Sequence, residues 1–275
     1  NMDALQMAQY VDSINFDPND LDVKILRIKN NGATDTVPLS AGLAIRDGGI
    51  FNDTIIIYEF VNNNFLKSDS EYELIIKHKA SGNVVTSTTN IISGFAFDMA
   101  NAYQFGFISV FTEGVPSATE FSFAPVNWVS TANGKIYQID LVINYTEDNI
   151  GGGNLVNKQL VFSQDLVYDK VKLLVIEGES FFNFLRENIE KENTKVRHFT
   201  GIDLVMTVGS EDLDTYIKVN QPITGIVQER PYFTNVNNGI GLFSSRFTKI
   251  RNNLPITLKS KKYLESVDGL DRNFQ

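Results

Sequence analysis

Cysteine is absent from this 275-residue chain, which removes disulfide staples, thiol catalysis and cysteine-ligated metal from its chemistry. Histidine occurs only at positions 78 and 198, so a structural zinc site lacks its usual ligands. His78 ends an alternating apolar run and His198 stands between Arg197 and Phe199. Each reads as a structural or partly exposed ring, not a catalytic base. Basic residues are outnumbered 24 to 33, for a net charge of −9 and an isoelectric point near 4.8. A duplex-binding surface needs a basic footprint to displace counterions, so nucleic acid is set aside as a partner. The densest basic run, Lys259 to Lys262 (KSKK), reads as a solvated face. No apolar run approaches the roughly 18–20 residues that span a bilayer. The opening NMDALQMAQYVD has neither the basic start nor the apolar stretch of a signal peptide.

What is present describes an ordinary globular protein rich in aromatics: 43% hydrophobic and 21% charged residues, with 20 Phe and 10 Tyr. The length suits two domains. Period-2 alternation dominates. In GKIYQIDLVINYTE, Tyr137, Ile139, Leu141, Ile143 and Tyr145 share one face, against Gln138, Asp140 and Asn144. Ile202, Leu204, Met206 and Val208 alternate in the same way, as do Tyr72, Leu74 and Ile76. Turn pairs punctuate these runs at Asn31-Gly32, Asp47-Gly48, Gly82-Asn83 and Asn133-Gly134, and Ala80-Ser81-Gly82 predicts a hairpin between YELIIKHK and NVVTSTT. One segment has helical spacing: across 178–193, Phe182, Leu185 and Ile189 form an apolar stripe, with Ser180 as the expected N-cap. Short helices are also expected over 2–11 and 261–267.

The fold class expected is all-β. An immunoglobulin-like β-sandwich over 1–95 is followed, over 96–275, by a larger antiparallel β-sandwich or barrel-like domain carrying one amphipathic helix.

Motif tests for chemistry return little. In PYFTNVNNGIGLFSSR, Gly239 and Gly241 match GxG, but Ser244 stands where the third glycine of a dinucleotide fingerprint belongs, and strands are expected on both sides. The stretch therefore predicts a turn at Asn237, Asn238 and Gly239, with Gly241 allowing close packing as the chain enters a strand. No GxSxG nucleophile elbow occurs. The acidic clusters at Asp17, Asn19, Asp20 and Asp22, at Glu147, Asp148 and Asn149, and at Glu211, Asp212 and Asp214 read as solvated loops. The first breaks the EF-hand pattern at Leu21, Asp22 and Ile28. Calcium at any of them is left open. Trp128 reads as core or junction packing before a sugar platform, and Tyr216, Tyr232 and Phe233 share that ambiguity. Neither catalytic residues nor a cofactor is assigned.

Three stretches, YELIIKHKASGNVVTSTT, VNWVSTANGKIYQIDLVINYTE and FTNVNNGIGLFSSR, together resemble outer-surface lipoproteins of Bacteroidetes that carry a domain of unknown function. The resemblance spans roughly residues 55–250. It implies export to the outer membrane or cell surface, with a signal peptide and a lipid-bearing cysteine upstream of residue 1, so that contact with a membrane is through a lipid anchor this chain lacks. The expected role is non-enzymatic, a binding or structural one in the envelope, with a glycan or an envelope protein recognised by loops at the sandwich ends. Two alternatives stand beside it: a carbohydrate-active hydrolase with an acidic cleft in the C-terminal domain, and a fimbria-like subunit that adds a strand to an open sheet edge.

Overall fold

A computed structural model describes residues 16–45, 54–61, 64–68, 70–115, 118–168, 171–221 and 232–275. The helix expected over 2–11 and the Asp47-Gly48 turn lie outside these residues. The first strands are β1 (Leu21–Lys29), β2 (Thr34–Pro38), β3 (Ser40–Ile45), β4 (Thr54–Glu59), β5 (Ser70–His78) and β6 (Val84–Asn90). There follow β7 (Ile108–Phe111), β8 (Thr119–Phe121), β9 (Phe123–Asn127), β10 (Ile136–Asn149), β11 (Val156–Ser163), β12 (Val167–Tyr168) and β13 (Leu173–Glu177). Helix α1 (Gly178–Asn188), β14 (Lys195–Gly209), α2 (Glu211–Asn220), β15 (Val236–Asn237), β16 (Arg246–Leu254) and α3 (Leu258–Glu265) complete the chain.

The protein is all-β, built from antiparallel sheets without a closed barrel among the described residues. Helices α1 and α3 answer the segments expected to be helical at 178–193 and 261–267, and α2 is an addition the sequence reading did not expect. The chain divides into two compact units, Asn1–Ser93 with Ser210–Arg246, and Gly94–Gly209 with Phe247–Gln275. Reading by alternation alone splits the chain once, at residue 95. In the structure 210–246 belongs with the first unit.

In the first unit a five-stranded sheet runs β15-β6-β5-β1-β2, with β3 and β4 forming a separate ribbon. The β5–β6 hairpin closes through Gly82 at φ +75°, a conformation glycine adopts without cost. Tyr72 at the start of β5 is buried, and its hydroxyl donates to the carbonyls of Phe65 and Lys67. That tie from a strand to the loop upstream is a device of immunoglobulin-like sandwiches.

In the second unit β10 and β14 form a long pair in a sheet ordered β11-β10-β14-β16. The two alternating faces read from sequence meet here: Ile139, Leu141, Ile143, Ile202, Leu204, Met206 and Val208 are all buried. Phenylalanines fill the remaining space, with Phe105, Phe107 and Phe181 stacked and Phe182 edge-on to Phe107. Helix α1 starts at Gly178, with Glu177 in the N-cap position in place of Ser180, whose hydroxyl donates to the Glu177 carboxylate. It stops at Asn188 rather than running to 193. The Arg272 guanidinium donates there to the carbonyls of Arg186 and Ile189, a cation on the negative end of the helix dipole. Helix α3 begins earlier than expected, with the Thr257 hydroxyl accepting from the Ser260 N–H.

Candidate functional site

β1 and β5 pair so that Val23 stands opposite Ile76 and Ile25 opposite Leu74, which puts four aliphatic side chains on one face of the sheet. Strand alternation alone produces this face. Leu39, Tyr58, Glu59, Phe60 and Phe243 stand over it without closing it, and a cleft of about 460 Å3 remains open within the first unit. The Tyr58 hydroxyl is buried and has no hydrogen-bond partner among the described residues. Burial pushes its pKa above the ordinary tyrosine value, and the negative charge of Asp17 adds to the shift. A buried donor left without a partner costs about 1–3 kcal/mol, so this hydroxyl, closed off from solvent, is a local cost of the packing behind the cleft wall. The volume lies within the range of small-ligand pockets.

Phe243 is set on the cleft wall by the Asn- and Gly-rich stretch that sequence reading assigned to a turn. Asn235 both donates to the Phe243 carbonyl and accepts from its N–H, at 2.7 and 2.9 Å. Thr234 Oγ1 accepts from the N–H groups of Val236 and Gly241 and donates to the Gly241 carbonyl. The turn is there, with Asn238 at φ +58°. The glycine that packs closely is Gly239, where a Cβ would sit 3.1 Å from Val236 and 3.3 Å from Val85. Gly241 has only ordinary contact distance. The following strand, β16, begins at Arg246 rather than within GLFSS.

A second hollow of the first unit, about 480 Å3, is polar. Ile28, Lys29, Asn30, Ser68, Ser70, Glu71 and Asn90 line it where β1 ends and β5 begins. The second unit has a hollow of about 410 Å3 lined by Phe111, Thr112, Glu113, Lys262, Glu265 and Ser266. Its two carboxylates are already engaged: Glu265 faces Lys261 at 3.4 Å, and Glu113 accepts from the Ser266 hydroxyl.

The residues singled out by sequence are dispersed. His78, in the first unit, meets the Ser81 hydroxyl at 2.8 Å within the hairpin turn. His198, in the second, lies 3.3 Å from the Gln275 carbonyl. Trp128 is core packing, 2% exposed and against Tyr137, so it forms no platform. Tyr232 is exposed and Tyr216 lies on α2.

The acidic clusters have structural work. Asp17 accepts from the Asn19 N–H to cap a 3-10 turn leading into β1. Glu211, Asp212 and Asp214 form the first turn of α2, where acids suit the positive end of the helix dipole. This corrects the reading of that cluster as a loop. Its sequence signal was Ser210 ahead of three acids, with Lys218 four residues after Asp214. Glu147 binds the buried Arg197, and Asp148 accepts from the N–H groups of Asn149 and Asn154 across the glycine-rich tip. Among the described residues no group of three or more His, Asp or Glu side chains is placed to hold a metal ion. The KSKK run lies on α3, where Ser260 is buried and its hydroxyl accepts from the N–H groups of Phe107 and Ile108. No family model and no curated protein matches the chain.

Proposed function

We propose that this protein is a non-enzymatic binding component of a bacterial cell envelope, held at the surface by a lipid anchor upstream of residue 1. Its first unit takes an apolar segment of a partner envelope protein in the cleft beside Tyr58. The observation that carries this reading is the open aliphatic face between β1, β5 and Phe243. Aliphatic walls suit leucine- or phenylalanine-sized side chains. The surface location rests on the sequence resemblance.

A glycan is the second reading. The polar hollow of Lys29, Asn30, Ser68, Glu71 and Asn90 favours it, since its donors and acceptors match sugar hydroxyls.

A thermal-melt screen of the whole chain against apolar peptides and against polysaccharides, with calcium and with a chelator, separates the two. A ligand at a hundred times its Kd adds about 2.7 kcal/mol, which raises the melting point by roughly 5–10 °C for a protein of this size. The expected result is a shift with apolar peptides and, in Ile76→Glu, which sets a charge on the aliphatic face, a loss of affinity of about tenfold or more. A shift with a polysaccharide alone, abolished by Lys29→Ala or Asn90→Ala, would transfer the function to the polar hollow. A flat response across both panels would reject both readings.

A further inference from the structure

Natural sheets blunt their edges with charge, proline or brevity, because an unpaired edge recruits further strands. The edges of the two larger sheets follow that rule. β2 carries Asp35 and Pro38, β15 is very short, β11 carries Lys158, and β16 carries Arg246, Lys249 and Arg251. The β3–β4 ribbon does not. SAGLAI and TIIIYE hold a single charge between them, at Glu59, and no proline. Leu43 and Ile45 are exposed. Among the described residues β4 pairs with β3 alone, so every second residue of β4 presents its N–H and C=O away from that partner.

That free edge ends at the cleft. Tyr58 and Glu59 of β4, with Phe60 just after it, line the opening over Val23, Ile25, Leu74 and Ile76. A strand added to β4 would lay alternate side chains on this aliphatic face, whose own residues repeat every two. A helix would fill the volume and leave β4 unpaired. A second copy joined edge to edge would pair β4 and leave the face bare. Charge sets the polarity of the segment. Glu59 is exposed and has no ion-pair partner among the described residues, and Asp17 lies near enough for its charge to act on Tyr58. Lys24 and Lys77 alternate onto the opposite face of the sheet. We propose that β4 is an augmentation edge for a partner's extended segment, apolar at alternate positions and basic at its N-terminal end. The segment pairs antiparallel with β4, sets its apolar side chains in the cleft and brings its lysine or arginine to Glu59. This rests on the reading that the cleft takes an apolar partner segment, and adds the backbone edge that orders it.

Titration calorimetry of the whole chain tests it, with eight-residue peptides in which leucine or valine alternates with threonine after an N-terminal lysine. Two isomers, N-methylated at the odd or at the even positions, keep every side chain and remove the backbone donors of one edge. The parent peptide is expected to bind, one isomer to bind about tenfold or more weakly, and the other to bind like the parent. Glu59→Lys, its fold checked by thermal melt, weakens the lysine peptide up to about fivefold and favours a glutamate-ended one. Isomers that bind equally, or a cleft that takes only helical apolar peptides, would overturn strand addition while leaving the cleft a binding site. Silence from the alternating peptides and from every other apolar peptide would overturn both.

Discussion

Tyr103 shows how one hydroxyl can bind two parts of the chain and make stability depend on pH. Its hydroxyl donates to the Pro125 carbonyl at 2.7 Å, on the backbone of β9. Burial pushes its pKa up to about 12, and the positive charge of Arg251 pulls in the opposite direction. An unfolded tyrosine ionises near pH 10. Between about pH 10 and 12 the folded state therefore keeps a proton that the unfolded state has lost. Stability falls as pH rises through that window, and the contribution is fully present below it. Tyr103→Phe is expected to cost roughly 1 kcal/mol at neutral pH through the lost hydrogen bond. It should also make the decline between pH 10 and 12 shallower than in the wild type. Urea unfolding midpoints at pH 8, 10 and 11.5 check both, and parallel declines for the two proteins would remove Tyr103 from the explanation.

At the scale of the element, the long pair β10–β14 contains one irregularity. Its register shifts after Asn144, which faces Gly201, so that Tyr145 faces Phe199 and Thr200 is left as an extra residue. A bulge of this kind bends the strand and raises its twist. It also brings Gly201 against Asn253 on β16: a Cβ there would lie 2.3 Å from the Asn253 Oδ1 and 3.2 Å from its Cα. Gly201→Ala is expected to destabilise the second unit by about 1–3 kcal/mol from overpacking, added to the backbone strain of placing a side chain at φ +153°. Gly32, at φ +79° with nothing within 4 Å of where a methyl would stand, isolates the backbone cost. Gly32→Ala should lose only about 1 kcal/mol. Equal losses for the two in chemical denaturation would mean that contact with Asn253 adds nothing. The bulge was invisible in the sequence because FTGIDLVMTV alternates cleanly from Ile202 onward, and the extra residue precedes the pattern.

At the scale of the whole molecule, the end of the chain is tied back to residues far from it. Arg197 is 2% exposed, and its Nε and Nη2 each lie 2.9 Å from the Glu147 carboxylate. Its Nη1 donates to the Arg272 carbonyl, and its backbone exchanges hydrogen bonds with Asn273 and Gln275. Glu147→Ala leaves a buried guanidinium without its counter-ion and is expected to cost about 3–5 kcal/mol. Replacing both partners with methionine should recover most of the loss, since apolar pairs of similar volume often substitute for buried ion pairs. Melting points and carboxypeptidase release of residues 272–275 measure both effects. A single variant as stable as wild type would assign the holding of the tail to its backbone contacts alone.

The alternating runs by themselves determined the all-β class, the buried faces of β10 and β14, the β5–β6 hairpin and the position of α1. The physical reason is local: a strand repeats every two residues and a helix every 3.6, so which side chains turn inward is written in the spacing. Only the tertiary structure decided where the acids act, because an ion pair such as Glu147–Arg197 joins residues fifty apart. It alone decided that 210–246 returns to the first unit, and that the Asn- and Gly-rich stretch serves to hold Phe243 at a cleft. The cleft and the exposed β3–β4 ribbon are made largely of aliphatic residues that read as core in any strand. Whether such a residue is covered depends on what packs across from it, and no spacing within one segment contains that information.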